Sequence, residues 1–223
     1  MQDPKVKTDF KEALSDQWIN YALTHSEPIP EILNDLERVT NQKVLQPRML
    51  SGPLQGRLLS LLSNLIKPMS ILEIGTYTGY STICLAEGLS EKGIIQTIDS
   101  NEELVSIQKE FFEKSNYNQN IQTHLGKAID VLPNLDGLFD LVYIDADKVN
   151  YAMYFDIILP KMKKGGLIIS DNVLWSGKVL ENTDSKDKNT KALQIYNDKL
   201  KSDPRIQTIL LPFRDGLSLS WIR

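Results

Sequence analysis

The sequence contains very little cysteine and histidine. Among its 223 residues there are one cysteine, Cys84, and two histidines, His25 and His124. A single cysteine excludes an internal disulfide and is typical of a reducing compartment, so we expect a cytoplasmic protein. Cys84 lies in the apolar pattern STICLAEGL, which predicts packing within a helix. So few histidines argue against a transition-metal site built on imidazole groups.

Long hydrophobic runs and an excess of positive charge are also absent. No apolar run approaches the roughly 18 residues that a transmembrane helix needs. The first residues, MQDPKVKTDF, are polar and do not have the pattern of a signal peptide. The formal net charge is −4, whereas nucleic-acid-binding domains usually carry a basic stripe. We therefore expect neither a membrane nor a nucleic acid as partner.

The chain is 41% hydrophobic and 24% charged, which predicts one globular domain over residues 1–223 with a sizeable core. Residues 1–66 have apolar residues at helical spacing, and residues 67–223 alternate strand and helix patterns. The helices predicted in the first part span residues 9–25, 30–42 and 52–66.

The second part predicts an α/β fold. Its apolar, β-branched runs predict seven strands at residues 71–75, 94–99, 121–126, 141–145, 166–172, 206–212 and 216–222. Helical patterns separate the first six runs, which predicts a mostly parallel, doubly wound sheet. The short link between the last two runs predicts a hairpin and therefore an antiparallel C-terminal strand. The polar stretch WSGKVLENTDSKDKN predicts a loop.

Polar residues follow two of the predicted strands directly. The run LVYID ends at Asp145, and GLIISDN ends at Asp171 and Asn172. Because parallel strands place their carboxyl ends on one edge of a sheet, these side chains should lie together. Two carboxylates and one amide oxygen suit a hard cation, with Mg²⁺ expected first and Mn²⁺ or Ca²⁺ as alternatives. Lys148, three residues past Asp145, lies close enough to act on a molecule held there.

The turn after the first predicted strand, EIGTYTGYS, predicts a nucleoside site. Gly75 and Gly79 allow a tight turn and a close approach to a ligand. The turn lacks the GxGxxG pattern and a P-loop lysine, so no pyrophosphate is expected. Asp99 ends the second strand, where an acid commonly binds ribose hydroxyls, and Glu73 could bind an amine. Each feature also has a structural interpretation: turn glycines, and an Asp99 that caps the following helix.

These motifs resemble those of the class I S-adenosylmethionine-dependent methyltransferases. The chain is similar in particular to the cation-dependent O-methyltransferases of the caffeoyl-CoA and catechol type. The strings that carry the likeness are MLSGPLQG, LEIGTYTGYST, GKAIDVLP, YIDADKVNY, SDNVLWSGKV, ALQIYNDKLKSDPR and LPFRDGLSL. The resemblance implies a Rossmann-like, seven-stranded fold with an N-terminal helical extension, a homodimer, and methyl transfer to a hydroxyl of a catechol-like acceptor.

The resemblance also implies a role for individual residues. Asp145, Asp171 and Asn172 match the metal ligands, and Lys148 matches the general base. Trp175 and Ser176 fall at the substrate rim. The positions that match cofactor contacts are Ser51, Glu73, Gly75, Thr76, Ser81, Asp99, Ala128 and Asp145.

The sequence departs from the family pattern in two places. Leu54 precedes Gln55, where the family often has a glutamate. The loop ENTDSKDKN lacks the aromatic residues of the plant enzymes, which argues against a bulky CoA thioester as acceptor. Tyr151, Trp175 and Arg214 are candidate walls of the acceptor site, with packing or surface roles as the alternative.

Two other functions remain compatible with the strand and turn patterns. One is a nucleotide-dependent oxidoreductase on a similar sheet, against which the missing GxGxxG argues. The other is a non-catalytic module that binds a nucleoside or a partner.

Overall fold

The computed structural model describes residues 16–181 and 187–223. Its helices are α1 (Asp16–Thr24), α2 (Glu31–Lys43), α3 (Pro53–Ile66), α4 (Tyr80–Ala86), α5 (Val105–Lys114), α6 (Ala128–Val131), α7 (Tyr151–Ile158) and α8 (Lys188–Ser202). The helix predicted at residues 9–25 lies partly outside the described residues, and its described part is α1. No helix in residues 16–181 or 187–223 is both long and apolar enough to cross a membrane.

Seven strands form one sheet in the order β3-β2-β1-β4-β5-β7-β6. They are β1 (Ser70–Ile74), β2 (Ile94–Asp99), β3 (Ile121–Leu125), β4 (Phe139–Ile144), β5 (Met162–Asp171), β6 (Ile206–Leu211) and β7 (Leu217–Ile222). The pairs among β1 to β5 are parallel, and β7 runs antiparallel to both β5 and β6. The predicted fold class is therefore confirmed, including the antiparallel C-terminal strand.

The central strands are buried on both faces. In β4, Val142 and Ile144 belong to one hydrophobic core, and Leu141 and Tyr143 belong to the other. Side chains alternate across a strand, so a strand covered on both faces needs an unbroken apolar run. This explains why the run LVYI, rather than an alternating pattern, marks β4.

The helices α2 and α3 close one of these two cores. Leu33 and Leu36 of α2 and Leu59 of α3 are fully buried against it, together with Cys84 of α4. The predicted packing of Cys84 is therefore confirmed. Helix α3 starts at Pro53, a residue whose fixed φ suits the first helical position. This start brings the first turn of α3 to the end of the sheet that carries the predicted site.

Two local predictions differ from the structure. Strand β5 begins at Met162, because residues on both sides of Gly165 and Gly166 pair with β4 across an irregularity near Phe139. The predicted strand begins at Gly166, whereas both glycines lie within β5; Gly165 has φ +81°, which a glycine adopts at little cost. The predicted loop after β5 begins with a 3₁₀ segment at Trp175–Leu180, in which Ser176 is left-handed. Residues 182–186 of that loop lie outside the described residues.

Candidate functional site

Asp145 and Asp171 leave neighbouring strands side by side. Ile144 of β4 is paired with Ser170 of β5, so the next residue of each strand is an aspartate. The backbone NH of Asp145 also donates to the carbonyl of Ile74 at 2.8 Å, which fixes it to the end of β1. The expected convergence of the two strand ends at one edge of the sheet is therefore confirmed.

Lys148 points back toward Asp145. It begins a 3₁₀ turn, Lys148–Asn150, and only 8% of its side chain is exposed. Its Nζ lies 3.0 Å from Asp145 Oδ1 and 2.7 Å from the hydroxyl of Tyr151. Tyr151 in turn donates to the backbone carbonyl of Asp171 at 3.1 Å. The amine is therefore held between the two strand ends.

The carboxylate of Asp171 is almost completely buried. Its Oδ2 accepts hydrogen bonds from the side-chain amide of Gln55 and from the hydroxyl of Tyr143, the latter at 2.8 Å. Its Oδ1 accepts from the backbone NH of Asn172 at 2.7 Å. Arg214, on the β6–β7 hairpin, donates to Gln55 Oε1 at 3.0 Å. Neither Gln55 nor Tyr143 is marked as a site residue by the sequence patterns.

The donor set at this edge suits a hard divalent cation. Asp145, Asp171 and Asn172 offer oxygen atoms only, which Mg²⁺, Mn²⁺ and Ca²⁺ prefer. Burial raises the pKa of Asp145, an effect that Lys148 opposes and Asp171 reinforces. A nearby cation would reverse that shift by stabilising the carboxylate. In the described parts of the chain no group of three or more His, Cys, Asp and Glu side chains is placed to hold a metal ion.

Glu73 is a fully buried carboxyl group at the end of β1. Its Oε2 accepts hydrogen bonds from the hydroxyls of Thr82 and Thr97, whereas its Oε1 has no hydrogen-bond partner within 3.5 Å among the described residues, although the nearby Ser81 hydroxyl helps to lower the pKa of the carboxyl group. Burial raises the pKa of Glu73 to about 7, although hydroxyl donors oppose the shift. A buried oxygen without a donor is costly. Glu73 is therefore suited to receive a cationic or hydrogen-bonding group of a ligand.

The raised pKa of Glu73 predicts a pH-dependent stability. The folded protein holds this proton up to about pH 7, whereas an unfolded chain releases it near pH 4.5. The stabilisation is complete below pH 4.5 and is lost as pH rises through about 7. Between pH 5 and pH 8 the loss should amount to about 2–3 kcal/mol. Urea unfolding of Glu73→Gln should lack this component.

Glu91→Gln is the control for this measurement because Glu91 is an exposed carboxyl group. It should keep the pH dependence of the parent protein. If the free energy of unfolding of Glu73→Gln fell between pH 5 and pH 8 as steeply as that of the parent, Glu73 would not be the titrating group.

The turn between β1 and α4 lies directly against Asp145. Gly75 has φ +103°, and a Cβ there would lie 2.0 Å from the backbone oxygen of Asp145, so only glycine fits. Thr76 is buried, and its hydroxyl lies 2.6 Å from that of Thr97. Asp99 Oδ2 accepts from the NH of Tyr77 at 2.6 Å. The sheet thus places this turn and the Asp145 edge side by side.

Asp99 does not cap the next helix directly. Its Oδ1 accepts from the NH of Asn101 at 2.8 Å, and it is Asn101 whose side chain caps the 3₁₀ turn before α5. The alternative interpretation, in which Asp99 caps the helix that follows it, is therefore wrong. Its carboxylate joins the turns after β1 and β2.

The remaining candidate cofactor positions differ in their surroundings. Ser81 is buried in the first turn of α4, one residue before Thr82. Ser51 is buried just before α3. Ala128 is the first residue of α6, and its methyl group packs in the core with Ile98 of β2. A ligand would therefore meet the backbone of Ala128 rather than its side chain.

Trp175 and Ser176 lie on a strained turn that follows Asn172. Asn172, Trp175 and Ser176 all have positive φ, between 49° and 57°. The backbone NH of Ser176 donates to the carboxylate of Asp215 on the β6–β7 hairpin. The Trp175 ring centre lies 6.0 Å from Lys148 Nζ. The hairpin thus holds both candidate rim residues beside the Asp145–Asp171 edge.

The three candidate wall residues behave differently. Tyr151 is fully buried and binds Lys148, so it supports that side chain instead of lining an open site. Arg214 is exposed and is bound to Gln55 and to the carbonyl of Leu50. Trp175 is partly exposed, and its ring centre lies 6.0 Å from Lys148 Nζ, so it suits an open site better than Tyr151 does.

Comparison with known proteins gives consistent matches. A profile of the O-methyltransferase family matches residues 23–222. A caffeoyl-CoA O-methyltransferase of Petroselinum crispum is 34% identical over 203 residues, covering 85% of this chain and 83% of that protein. A catechol O-methyltransferase of Niastella koreensis is 32% identical over 186 residues, covering 79% and 84%. The solved structure of an O-methyltransferase from Bacillus cereus in complex with SAH is 32% identical, with a TM-score of 0.85 and coverage of 93% and 96%.

Proposed function

The chain belongs to the O-methyltransferase family, and from that premise we propose that it transfers a methyl group from S-adenosylmethionine to one hydroxyl of a catechol-like acceptor, with a divalent cation. The observation that carries the proposal is the meeting of Asp145, Asp171 and Lys148 at adjacent strand ends. Membership of a methyltransferase family overrules the alternatives of an oxidoreductase and of a non-catalytic module.

The methyl donor is proposed to lie at the carboxyl ends of β1 and β2. The unpartnered oxygen of Glu73 suits its amine, and Asp99 suits its ribose hydroxyls. Because Gly75 has no side chain, the cofactor can approach the backbone of this turn closely. The other proposed contacts are Ser51, Thr76, Ser81, Ala128 and Asp145. When bound, this cofactor supplies an electrophilic methyl group on a sulfonium.

The cation is proposed to be held by Asp145, Asp171 and Asn172, with Mg²⁺ as the first candidate and Mn²⁺ or Ca²⁺ as alternatives. A divalent cation lowers the pKa of a phenol, which is otherwise near 10. Asp145 would then serve both the cation and the cofactor, since its backbone is hydrogen-bonded to the end of β1, beside the proposed cofactor site.

Lys148 is proposed to accept, in its uncharged amine form, the proton of the hydroxyl that is methylated. Its Nζ is held by Asp145 and Tyr151 in a largely buried position. Trp175 and Ser176 would form the rim over the acceptor. Placing the base, the acceptor and the methyl donor together supplies much of the rate by proximity.

A vicinal dihydroxyphenol is the proposed acceptor because two adjacent hydroxyls can chelate one cation. The catechol O-methyltransferase among the relatives supports this class. The direct test is a methylation assay on a panel of catechols and matched monophenols, with Mg²⁺ and with excess chelator. We expect turnover of catechols only, abolished by the chelator. Equal turnover in chelator would overturn the requirement for a cation, and equal turnover of monophenols would overturn the acceptor class.

Three further expectations from the sequence belong to this proposal. Residues 1–223 are proposed to act as one domain, with residues 1–66 as the helical part and 67–223 as the core. The protein is proposed to be cytoplasmic and to form a homodimer. A sedimentation mass near 25.3 kDa, that of one chain, would contradict the dimer.

A further inference from the structure

The two oxygens of the Asp171 carboxylate accept different numbers of hydrogen bonds. A carboxylate offers about four lone-pair positions, shared between its two oxygens. Which of them remain available decides how a cation can approach. Three neighbouring groups settle this for Asp171: Gln55, Tyr143 and the backbone of Asn172.

Arg214 fixes the orientation of the Gln55 amide. A guanidinium can only donate, so the atom that receives Arg214 Nη1 at 3.0 Å must be the oxygen of Gln55. The amide nitrogen consequently faces the opposite way, toward Asp171 Oδ2 and the Tyr143 hydroxyl. Gln55 is fully buried, so it has no water to turn to.

Tyr143 completes the set of donors on the same oxygen. Its hydroxyl accepts from Gln55 Nε2 at 2.8 Å and therefore directs its own proton to Asp171 Oδ2, also at 2.8 Å. Both lone-pair positions of Oδ2 are then occupied. Among residues 16–181 and 187–223, Oδ1 accepts one bond, from the NH of Asn172, and keeps one position for another partner.

A cation bound by both oxygens of Asp171 would have to displace one of these buried donors. The loss would be large because Tyr143 and Gln55 have no solvent to replace Asp171. Ca²⁺ takes six to eight oxygen ligands and often uses carboxylates through both oxygens, whereas Mg²⁺ is six-coordinate and keeps several waters. A carboxylate limited to one oxygen suits the smaller ion.

We propose that Gln55 and Tyr143 are positioning residues that restrict Asp171 to coordination through Oδ1, and that they thereby make the site prefer Mg²⁺ and Mn²⁺ over Ca²⁺. This inference rests on the proposed cation site. Arg214 contributes by holding the Gln55 amide in the required orientation.

Titration calorimetry of the full chain with MgCl₂, MnCl₂ and CaCl₂, without acceptor, tests the proposal. The parent should bind Mg²⁺ and Mn²⁺ more tightly than Ca²⁺. Tyr143→Phe frees one position on Oδ2 and should reduce the ratio of Mg²⁺ affinity to Ca²⁺ affinity, as part of the roughly 10–100-fold change in metal affinity that is typical when a group that orients a metal ligand is lost. Arg214→Met, at an exposed position, should change the preference in the same direction and to a smaller extent.

Tyr196→Phe is the matched control. The Tyr196 hydroxyl is buried and lies 2.6 Å from Ser170 Oγ, but it does not bind Asp171. This variant loses one buried hydroxyl and should keep the parent's preference. Thermal unfolding of each variant checks that it is folded. If Tyr143→Phe does not fold, Arg214→Met still tests the proposal.

The possible failures can be told apart. If the parent binds none of the three cations, the proposed cation site is wrong. If the parent binds them but folded Tyr143→Phe and Arg214→Met keep its ratio of affinities, or if the parent prefers Ca²⁺, the cation site stands and the role of Gln55 and Tyr143 is overturned.

Discussion

Replacement of Asp171 by alanine is expected to remove methyl transfer that depends on a divalent cation, while the fold and the binding of S-adenosylmethionine are kept. A bound cation contributes several kcal/mol to stabilising charge in a transition state. A loss of about 4 kcal/mol corresponds to a fall of about 10³-fold in turnover. The measurement is the initial rate on a catechol at saturating Mg²⁺.

Asp171→Ala removes the acceptor of the Tyr143 hydroxyl and of one Gln55 N–H, at a cost of about 1–3 kcal/mol for each unsatisfied group. The bond from Gln55 to the Tyr143 hydroxyl at 2.8 Å remains, so we expect a protein that still folds but has a lower melting temperature. Cofactor binding should survive because Glu73, Gly75 and Asp99 are untouched. Titration with S-adenosylmethionine and thermal unfolding measure the two properties.

Asp156→Ala is the control for general effects of losing a carboxylate. Asp156 forms a salt bridge with Lys199 outside the candidate site. This variant should keep the turnover of the parent protein. Turnover of Asp171→Ala equal to that of the parent, in the same Mg²⁺ buffer, would show that Asp171 does not hold a catalytic cation.

The positions of the two strand ends could be predicted because they are set by the local sequence. The runs LVYID and GLIISDN are apolar over the length of a strand and turn polar abruptly, so Asp145 and Asp171 mark where the strands leave the core. The parallel arrangement, predicted from the alternating helices, then places both residues on one edge. The pairing of Ile144 with Ser170 confirms that the strand ends and the parallel arrangement together place Asp145 beside Asp171.

The groups that surround Asp171 were not predictable in the same way. Tyr143 is 28 positions from Asp171, and Gln55 is 116 positions from it. Arg214 is 159 positions from Gln55. Gln55 lies in a helix and Tyr143 lies within an apolar run, so neither position is marked by a local pattern. Such contacts depend on how α3 and the β6–β7 hairpin pack against the sheet.

Glu73 is an intermediate case. Its place at the end of β1 follows from the strand pattern, but its complete burial and its unpartnered oxygen do not. Burial depends on the packing of α4 above it, where Thr82 donates to the carboxylate. The raised pKa is therefore a property of the folded structure and not of the motif.

Replacement of Lys148 by alanine is expected to lower turnover by about 10²–10⁴-fold, the range typical of a lost general base. Lys148 Nζ is the amine held 3.0 Å from Asp145 Oδ1, at the strand end where the acceptor is proposed to bind. The affinity for S-adenosylmethionine should change little, because the proposed cofactor contacts lie on other residues. Single-turnover rates with saturating cofactor and Mg²⁺ measure the effect.

Lys148→Arg separates proton transfer from charge. Arginine places a permanent positive charge beside Asp145, but it stays protonated in proteins and cannot accept the proton of a hydroxyl. If Lys148 acts as the base, arginine should be as inactive as alanine. Recovery of most of the turnover by arginine would assign Lys148 an electrostatic role. Turnover of Lys148→Ala within about threefold of the parent, far below the range for a general base, would show that the acceptor loses its proton without Lys148.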